Sequence, residues 1–363
     1  MQHAKLSPSS SARWLSCTGS VKAEQAFPSS TTSYAAEGTT AHALAELCLT
    51  TNDHPTKYIG QTLEGHIVDE DMAEHIAAYC AYVKSYSGVH LYEHRFSLTK
   101  WIPDSFGTSD AVVIDEANKT AHIIDLKYGK GVSVDAEQNT QAMLYALGVI
   151  DDLGFMYEFD TVVIHIYQPR IKNYSSWQTS TKYLLEWVEW VSQRAKETQL
   201  PDAPRTPSEK ACQWCKAKAT CKALLDHTHT VVMNDFDDLT SINPDTLTDN
   251  ELRVVMDNAK LIKSWLDAVE AHIFDKLNNG QAFDGYKLVE GRSTRTWQDE
   301  QQAAILLADK VPSDKLFTQK LISPAQAEKL LKNDKELFAS LVTKSAGKPT
   351  LVPSCDKRIA LND

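Results

Sequence analysis

The stretch from Phe106 to Gly148, FGTSDAVVIDEANKTAHIIDLKYGKGVSVDAEQNTQAMLYALG, constrains this chain more than any other. Ser109 to Asp115 and Ala121 to Tyr128 are rich in Val and Ile, with the polar, Asn-containing segment Glu116 to Thr120 between them. That pattern predicts a β-hairpin. Alternation along a strand puts Asp125 and Lys127 on one face and Ile124 and Leu126 on the other, with Asp110 across from them if the register allows. Most Asp/Lys pairs are surface salt bridges on a solvated face. Here the apolar flanks suggest a sheet covered on both sides, where charges need a task or a partner.

Two carboxylates beside a lysine suit metal-assisted hydrolysis of a phosphodiester. Carboxylate oxygens are hard ligands for Mg2+ or Mn2+ and leave positions open for water and a phosphate oxygen. The lysine can orient the nucleophile or stabilise charge developing on the phosphate. A helix-like run follows in which Gln141 and Tyr145 are four residues apart and share a side, a face able to hold a phosphate backbone.

Asp110, then Asp125-Leu126-Lys127, then Gln141-Ala-Met-Leu-Tyr145 resembles the signature of the PD-(D/E)XK nucleases, in the RecB-like branch with a trailing Q-x-x-x-Y motif. Each piece alone is common; order and spacing carry the likeness. The resemblance implies an α/β, restriction-endonuclease-like mixed sheet flanked by helices and a metal-dependent deoxyribonuclease. Asp110, Asp125, Lys127, Gln141 and Tyr145 would be the catalytic set, and His42, Asp110, Asp125 and the Leu126 carbonyl the metal ligands. His42 enters because Gly38-Thr-Thr-Ala-His42 is similar to the G-x-x-x-H helix of the iron-sulfur members. Glu37 and Glu46 are weaker candidates, and Glu93 or His94 would approach from a strand expected over Val89 to Leu98.

Of seven cysteines, Cys212, Cys215 and Cys221 form C-x2-C-x5-C after a proline-rich excursion over residues 201 to 210. Three reduced thiols so close together imply a metal or a cluster. His227 and His229 follow closely, so a local Cys3His zinc site is one reading. Cys17, far upstream, is the other source of a fourth ligand. In AddB-type helicase-nuclease subunits and the CRISPR adaptation nucleases, one cysteine before the nuclease core joins three after it on a [4Fe-4S] cluster, and this layout resembles theirs. Cys48, Cys80 and Cys355 read as buried or incidental thiols.

The remaining chain reads as a short helix near residues 8 to 20 with Trp14 inward, a helix beginning after Gly38, and core-packing helices over 69 to 86 and 181 to 198. A strand is expected over Thr161 to Tyr167, ending in Gln168-Pro169-Arg170, where Arg170 meets either phosphate or a structural ion pair. Helix, three strands, helix and strand predict a sandwich in a first domain of residues 1–230. Residues 231–363 form a second, α+β domain, with a long helix from Thr248 to Leu277, a hairpin over Gly285 to Trp297 and a helix opened at Ser323. A DNA clamp, an oligomer contact and partner docking are all open for it.

With 363 residues, 42% hydrophobic and 23% charged, the composition is that of a chain with a sizeable core. The N-terminus has no apolar signal region and no apolar run approaches a membrane span, so a cytoplasmic protein without a membrane partner is expected. A net charge of −11 argues against bulk coating of nucleic acid but not against a local basic groove. The whole chain is similar to a phage and bacterial family of RecB-like nucleases with a C-terminal extension. That likeness implies DNA as partner, end-processing exonuclease action in recombination or repair, and a homo-oligomer or a single-strand annealing protein alongside. A non-catalytic end-binding scaffold of the same fold is the competing reading.

Overall fold

A computed structural model of the chain describes residues 4–27, 33–233, 249–288 and 336. All elements below lie within the compact unit Met1–Leu288. The 285 to 297 hairpin beyond Leu288, the helix opened at Ser323 and Cys355 lie outside the described residues.

At the centre is a five-stranded mixed sheet of β1 (Val89–Ser97), β2 (Phe106–Asp115), β3 (Thr120–Leu126), β4 (Thr161–Gln168) and β5 (Asn173–Ser180), in that spatial order. Every neighbouring pair is antiparallel except β3 and β4, which run parallel. The hairpin of β2 and β3 forms as the sequence predicts. Its turn closes on Asp115, whose carboxylate accepts from the Asn118 backbone and side chain, and on Lys119 in a left-handed conformation. A parallel pair needs a crossover. Residues 127–160 provide it, carrying a helix across one face.

Around the sheet lie α1 (Ser11–Ser16), α2 (Ser33–Thr51), α3 (Glu70–Lys84), α4 (Thr140–Leu153), α5 (Thr181–Glu197), α6 (Lys222–Met233) and α7 (Asp249–Asn278), with a two-stranded ribbon of Thr62–Leu63 and His66–Ile67. Ala111, Val113, Ile124 and Leu126 face Leu44 of α2 and Met72, Ile76 and Tyr79 of α3. Val112, Ile114, Ile123 and Ile164 face Trp14 of α1, Met143 and Leu147 of α4, and Leu184 and Val188 of α5. The sheet is therefore covered on both faces, and charges at Asp110 and Asp125 are a cost that needs an explanation. Gly148 lets α4 lie close, because a Cβ there would fall 1.9 Å from the Phe96 ring.

Four local points depart from the sequence reading. The second helix begins at Ser33, with Gly38 inside it rather than before it. The first ends at Ser16, leaving Cys17 in extended backbone. The sheet gains β5, which has no apolar alternation to announce it. Its NYSSWQTS sequence leaves alternate positions exposed, while Trp177 packs against the core and the Tyr174 ring lies 4.7 Å from that of Tyr167. The long C-terminal helix is present as α7, but its buried line runs through Leu261 and Trp265; Leu252, Val255, Met256 and Leu266 are exposed.

Candidate metal centre

Asp110 lies where β2 passes from the core to the sheet end, and β3 ends one residue before Lys127. Pairing of Ala111 with Ile124 fixes the register and brings Asp110 beside Leu126, whose backbone N–H donates to Asp110 Oδ2 at 2.7 Å. The other oxygen, Oδ1, is 3.0 Å from His42 Nδ1, which α2 brings over the strand end. Directly opposite Asp110 on β1 stands Glu93. The flanking pairs are Tyr92 with Ala111 and His94 with Ser109, and Glu93 itself has φ +45°, a left-handed conformation strained for a residue with a Cβ. His42, Glu93 and Asp110 each offer a ligand atom within 4.8 Å of the others.

A second cluster adjoins the first. Asp125, 1% exposed, pairs through Oδ2 with Lys127 Nζ at 2.8 Å. Gln141, in the first turn of α4 after the Asn139 cap, accepts from Lys127 Nζ at 3.1 Å and donates to Asp125 Oδ1 at 3.3 Å. The Gln141 amide also donates to the Tyr145 hydroxyl at 2.7 Å. Tyr145 is only 7% exposed and packs edge-on against Phe96, so it braces Gln141 from beneath and does not present an open phosphate contact.

The electrostatics follow from burial among like charges. Desolvation, with the negative charge of Asp110 added, pushes the Glu93 carboxyl up to about 7. Asp125 is likewise raised, by burial first and by Asp110 second, against the pull of Lys127. Asp110 is held low although burial opposes it, because His42, Lys127 and the Leu126 N–H all favour its charge. The His42 imidazole is raised: burial disfavours its charge, and the Asp110 carboxylate outweighs that.

The weaker candidates separate cleanly. Glu37 pairs with Arg170 at 2.8 Å, and the Arg170 guanidinium lies 4.6 Å over the Tyr128 ring, so this is the structural ion-pair alternative for Arg170. His94 turns to Asp152 at 2.8 Å. Glu46 is exposed on α2 and outside the group formed by His42, Glu93 and Asp110. Sequence reasoning missed Gln168. It is 2% exposed, accepts from the Val134 N–H at 2.7 Å and donates to the Val132 carbonyl at 3.0 Å, tying the loop after Lys127 to the end of β4. A buried glutamine in an apolar strand carries no distinguishing sequence signal.

Cys17, Cys212, Cys215 and Cys221 line one small pocket, closed by Ala23, Ala211 and Ala217 and bordered by Arg205 and Lys218. The Thr206 backbone N–H points at Cys17 Sγ at 3.3 Å. Burial raises the Cys212 thiol and pushes Cys215 up to about 11. Neither His227 nor His229 lines this pocket.

Fold and site together define an α/β protein with a two-sided mixed sheet and an acidic, lysine-bearing centre at one strand end. The chain belongs to the family described as "Protein of unknown function (DUF2800)", whose model matches residues 3–359. Among solved structures it is similar to one described as "Crystal structure of SSO0001", with 11% identity, a TM-score of 0.26, and coverage of 58% of this chain and 83% of that one. No helix of the described residues is long and apolar enough to cross a membrane.

Proposed function

We propose that this chain is a metal-dependent deoxyribonuclease of the PD-(D/E)XK type, in the RecB-like branch, acting as an exonuclease on DNA ends in recombination or repair. The observation that carries the reading is the convergence, at one strand end, of Asp110 and Glu93 with His42 on one side and of Asp125 with Lys127 on the other. Burial first and the charge of Asp110 second push the Glu93 carboxyl up, as expected where carboxylates are gathered out of water. His42, Glu93 and Asp110, with Asp125 adjoining, are the residues to hold Mg2+ or Mn2+. A hard divalent ion there supplies Lewis acidity to a phosphodiester.

The chain's own groups do the rest. Lys127, fixed by Asp125 and Gln141, holds an ammonium where attacking water and phosphate charge need one. Gln141 is fixed in turn by Tyr145, so the ammonium has little freedom to wander. Leu126 contributes its N–H to orient Asp110.

We further assign Cys17, Cys212, Cys215 and Cys221 to a [4Fe-4S] cluster that ties the ends of the nuclease region, residues 1–230, together. All four thiols line one pocket, and neither His227 nor His229 does, which supports a four-cysteine group over a Cys3His zinc site. Arg205, Lys218 and the Thr206 N–H suit the negative charge of the cluster.

The decisive experiment incubates end-labelled linear and closed circular DNA with Mn2+, beside Lys127→Ala. Metal-dependent release of nucleotides from the linear form alone, lost in the variant, is expected. Intact DNA of both forms together with retained DNA binding would leave a scaffold of the same fold.

A further inference from the structure

A cleft of about 570 Å3 opens beside α1, away from the carboxylates, and is lined by Lys5, Arg13 and Lys216 against a single acid, Glu24. In a chain of net charge −11 this is a locally cationic surface. Arg13 is held in place by Glu24 at 2.9 Å and by the Trp214 carbonyl at 3.3 Å. The hydroxyls of Ser9 and Ser10 meet at Ser7 Oγ, at 3.1 and 3.0 Å, on the cleft wall. Val21 and Phe27 add apolar surface to the same cleft.

The cleft is also connected to the candidate centre. Ser11, next after Ser10, shares a 2.7 Å hydrogen bond with Thr140, the residue before Gln141. Gln141 touches Lys127 and Asp125. Two peptide units and two hydrogen bonds thus link Ser10 on the cleft wall to Lys127 and Asp125.

We propose that this cleft is a subsite for a single DNA strand, taking a backbone phosphate on Lys5, Arg13, Lys216 and the serine hydroxyls and a sugar or base against Val21 and Phe27. Hydroxyls, lysines and arginine are the groups that fix phosphate positions without reading sequence. The volume is that of a small-molecule site of roughly 300–1,000 Å3, which suits one nucleotide and is too small for a duplex. Aromatic and apolar surface beside cations is how single strands are held. The proposal rests on the nuclease reading, but its test does not depend on cleavage.

Binding of a fluorescein-labelled single strand is measured by anisotropy in EDTA across a range of salt, using the full chain, Lys5→Glu/Lys216→Glu, and Lys5→Glu/Ser9→Glu. The last variant leaves the neighbour of Cys215 untouched. Both variants are expected to bind at least about tenfold more weakly, and loss of two phosphate contacts lowers the salt slope of the first by about 1.4. Blunt duplex and inorganic phosphate are expected to compete poorly with the single strand. On the wild-type chain, a strand ending in 4-thiothymidine should cross-link to peptides within 5–27 or 213–218. Unchanged affinity and slope in folded variants, or cross-links confined to other peptides, would overturn the subsite. Absence of Mn2+-dependent cleavage in the wild type would sink the nuclease reading and leave these readouts unmoved.

Discussion

His42 Nδ1 and Asp110 Oδ1 stand 3.0 Å apart, joining a helix and a strand separated by 68 residues of chain. In this arrangement the imidazole is positively charged more readily than a free histidine, since the carboxylate outweighs the penalty of burial. On the metal-dependent reading proposed above, a cation would compete with the proton for the His42 nitrogen.

Removing either member should cost metal affinity outright. His42→Ala and Asp110→Asn are each expected to weaken Mn2+ binding by more than the roughly 10–100-fold typical of an outer-shell partner. Isothermal titration with Mn2+ checks this, and near-wild-type affinity in both variants would remove them from the ligand set.

Glu93 gives the pH dependence. Its carboxyl, lifted to about 7 by burial and by Asp110, must lose its proton to bind a cation. Apparent Mn2+ affinity should rise between pH 6 and 8 with release of protons. Substitution by Gln should weaken binding and remove part of that rise. Titrations in buffers of different ionisation enthalpy count the protons directly.

His165 makes a stability prediction that does not involve metal binding. Tyr86 donates to Tyr82, Tyr82 lies 2.9 Å from His165 Nδ1, and His165 Nε2 lies 3.1 Å from His122 Nδ1. Burial first, and the neighbouring His122 second, lower His165 to about 4. Because the unfolded chain takes up that proton near pH 6.5, stability is complete above 6.5 and falls as pH drops towards 4. The loss is on the order of 3 kcal/mol. Urea melts at pH 7 and 4.5 should show a smaller acid loss in His165→Gln than in the wild type.

The Arg170–Glu37 pair ties the start of α2 to the end of β4. Its side chains are mostly shielded, so Arg170→Met should destabilise by about 2 kcal/mol, between the worth of exposed and of buried pairs. Glu37→Gln/Arg170→Met should cost less than the sum of the two single changes. Additive losses in chemical denaturation would show that the contact carries no coupling.

Cys17→Ser tests the cluster. Iron content and folded yield are expected to fall, together with an absorbance band near ~400 nm in anaerobically purified protein. Iron, yield and absorbance all equal to wild type would remove Cys17 from the ligand set.

Much of the fold is legible in the sequence. The β2–β3 hairpin, the strand over Val89 to Ser97 and the helices begun by Asp69, Asn139 and Ser180 carry their own alternation or caps, which are local signals. Strand β5 is not legible, because its residues are mostly polar and it is held by backbone pairing with β4, from Gln168 with Asn173 onward, and not by an apolar pattern of its own. The buried line of α7 through Leu261 and Trp265 is not legible either, because which apolar residues face inward depends on what lies beside the helix.

By itself the sequence determined that Asp125 and Lys127 share a face and that Gln141 and Tyr145 lie on one side of a helix. Those relations follow from periods of two and of 3.6 residues. Only the tertiary structure decided that Glu93 stands opposite Asp110, that Glu37 is drawn to Arg170, and that Tyr145 is a buried brace. Each depends on the register of strands joined by a loop or on the docking of distant elements. Those are set by packing of the whole sheet, and no local spacing encodes them.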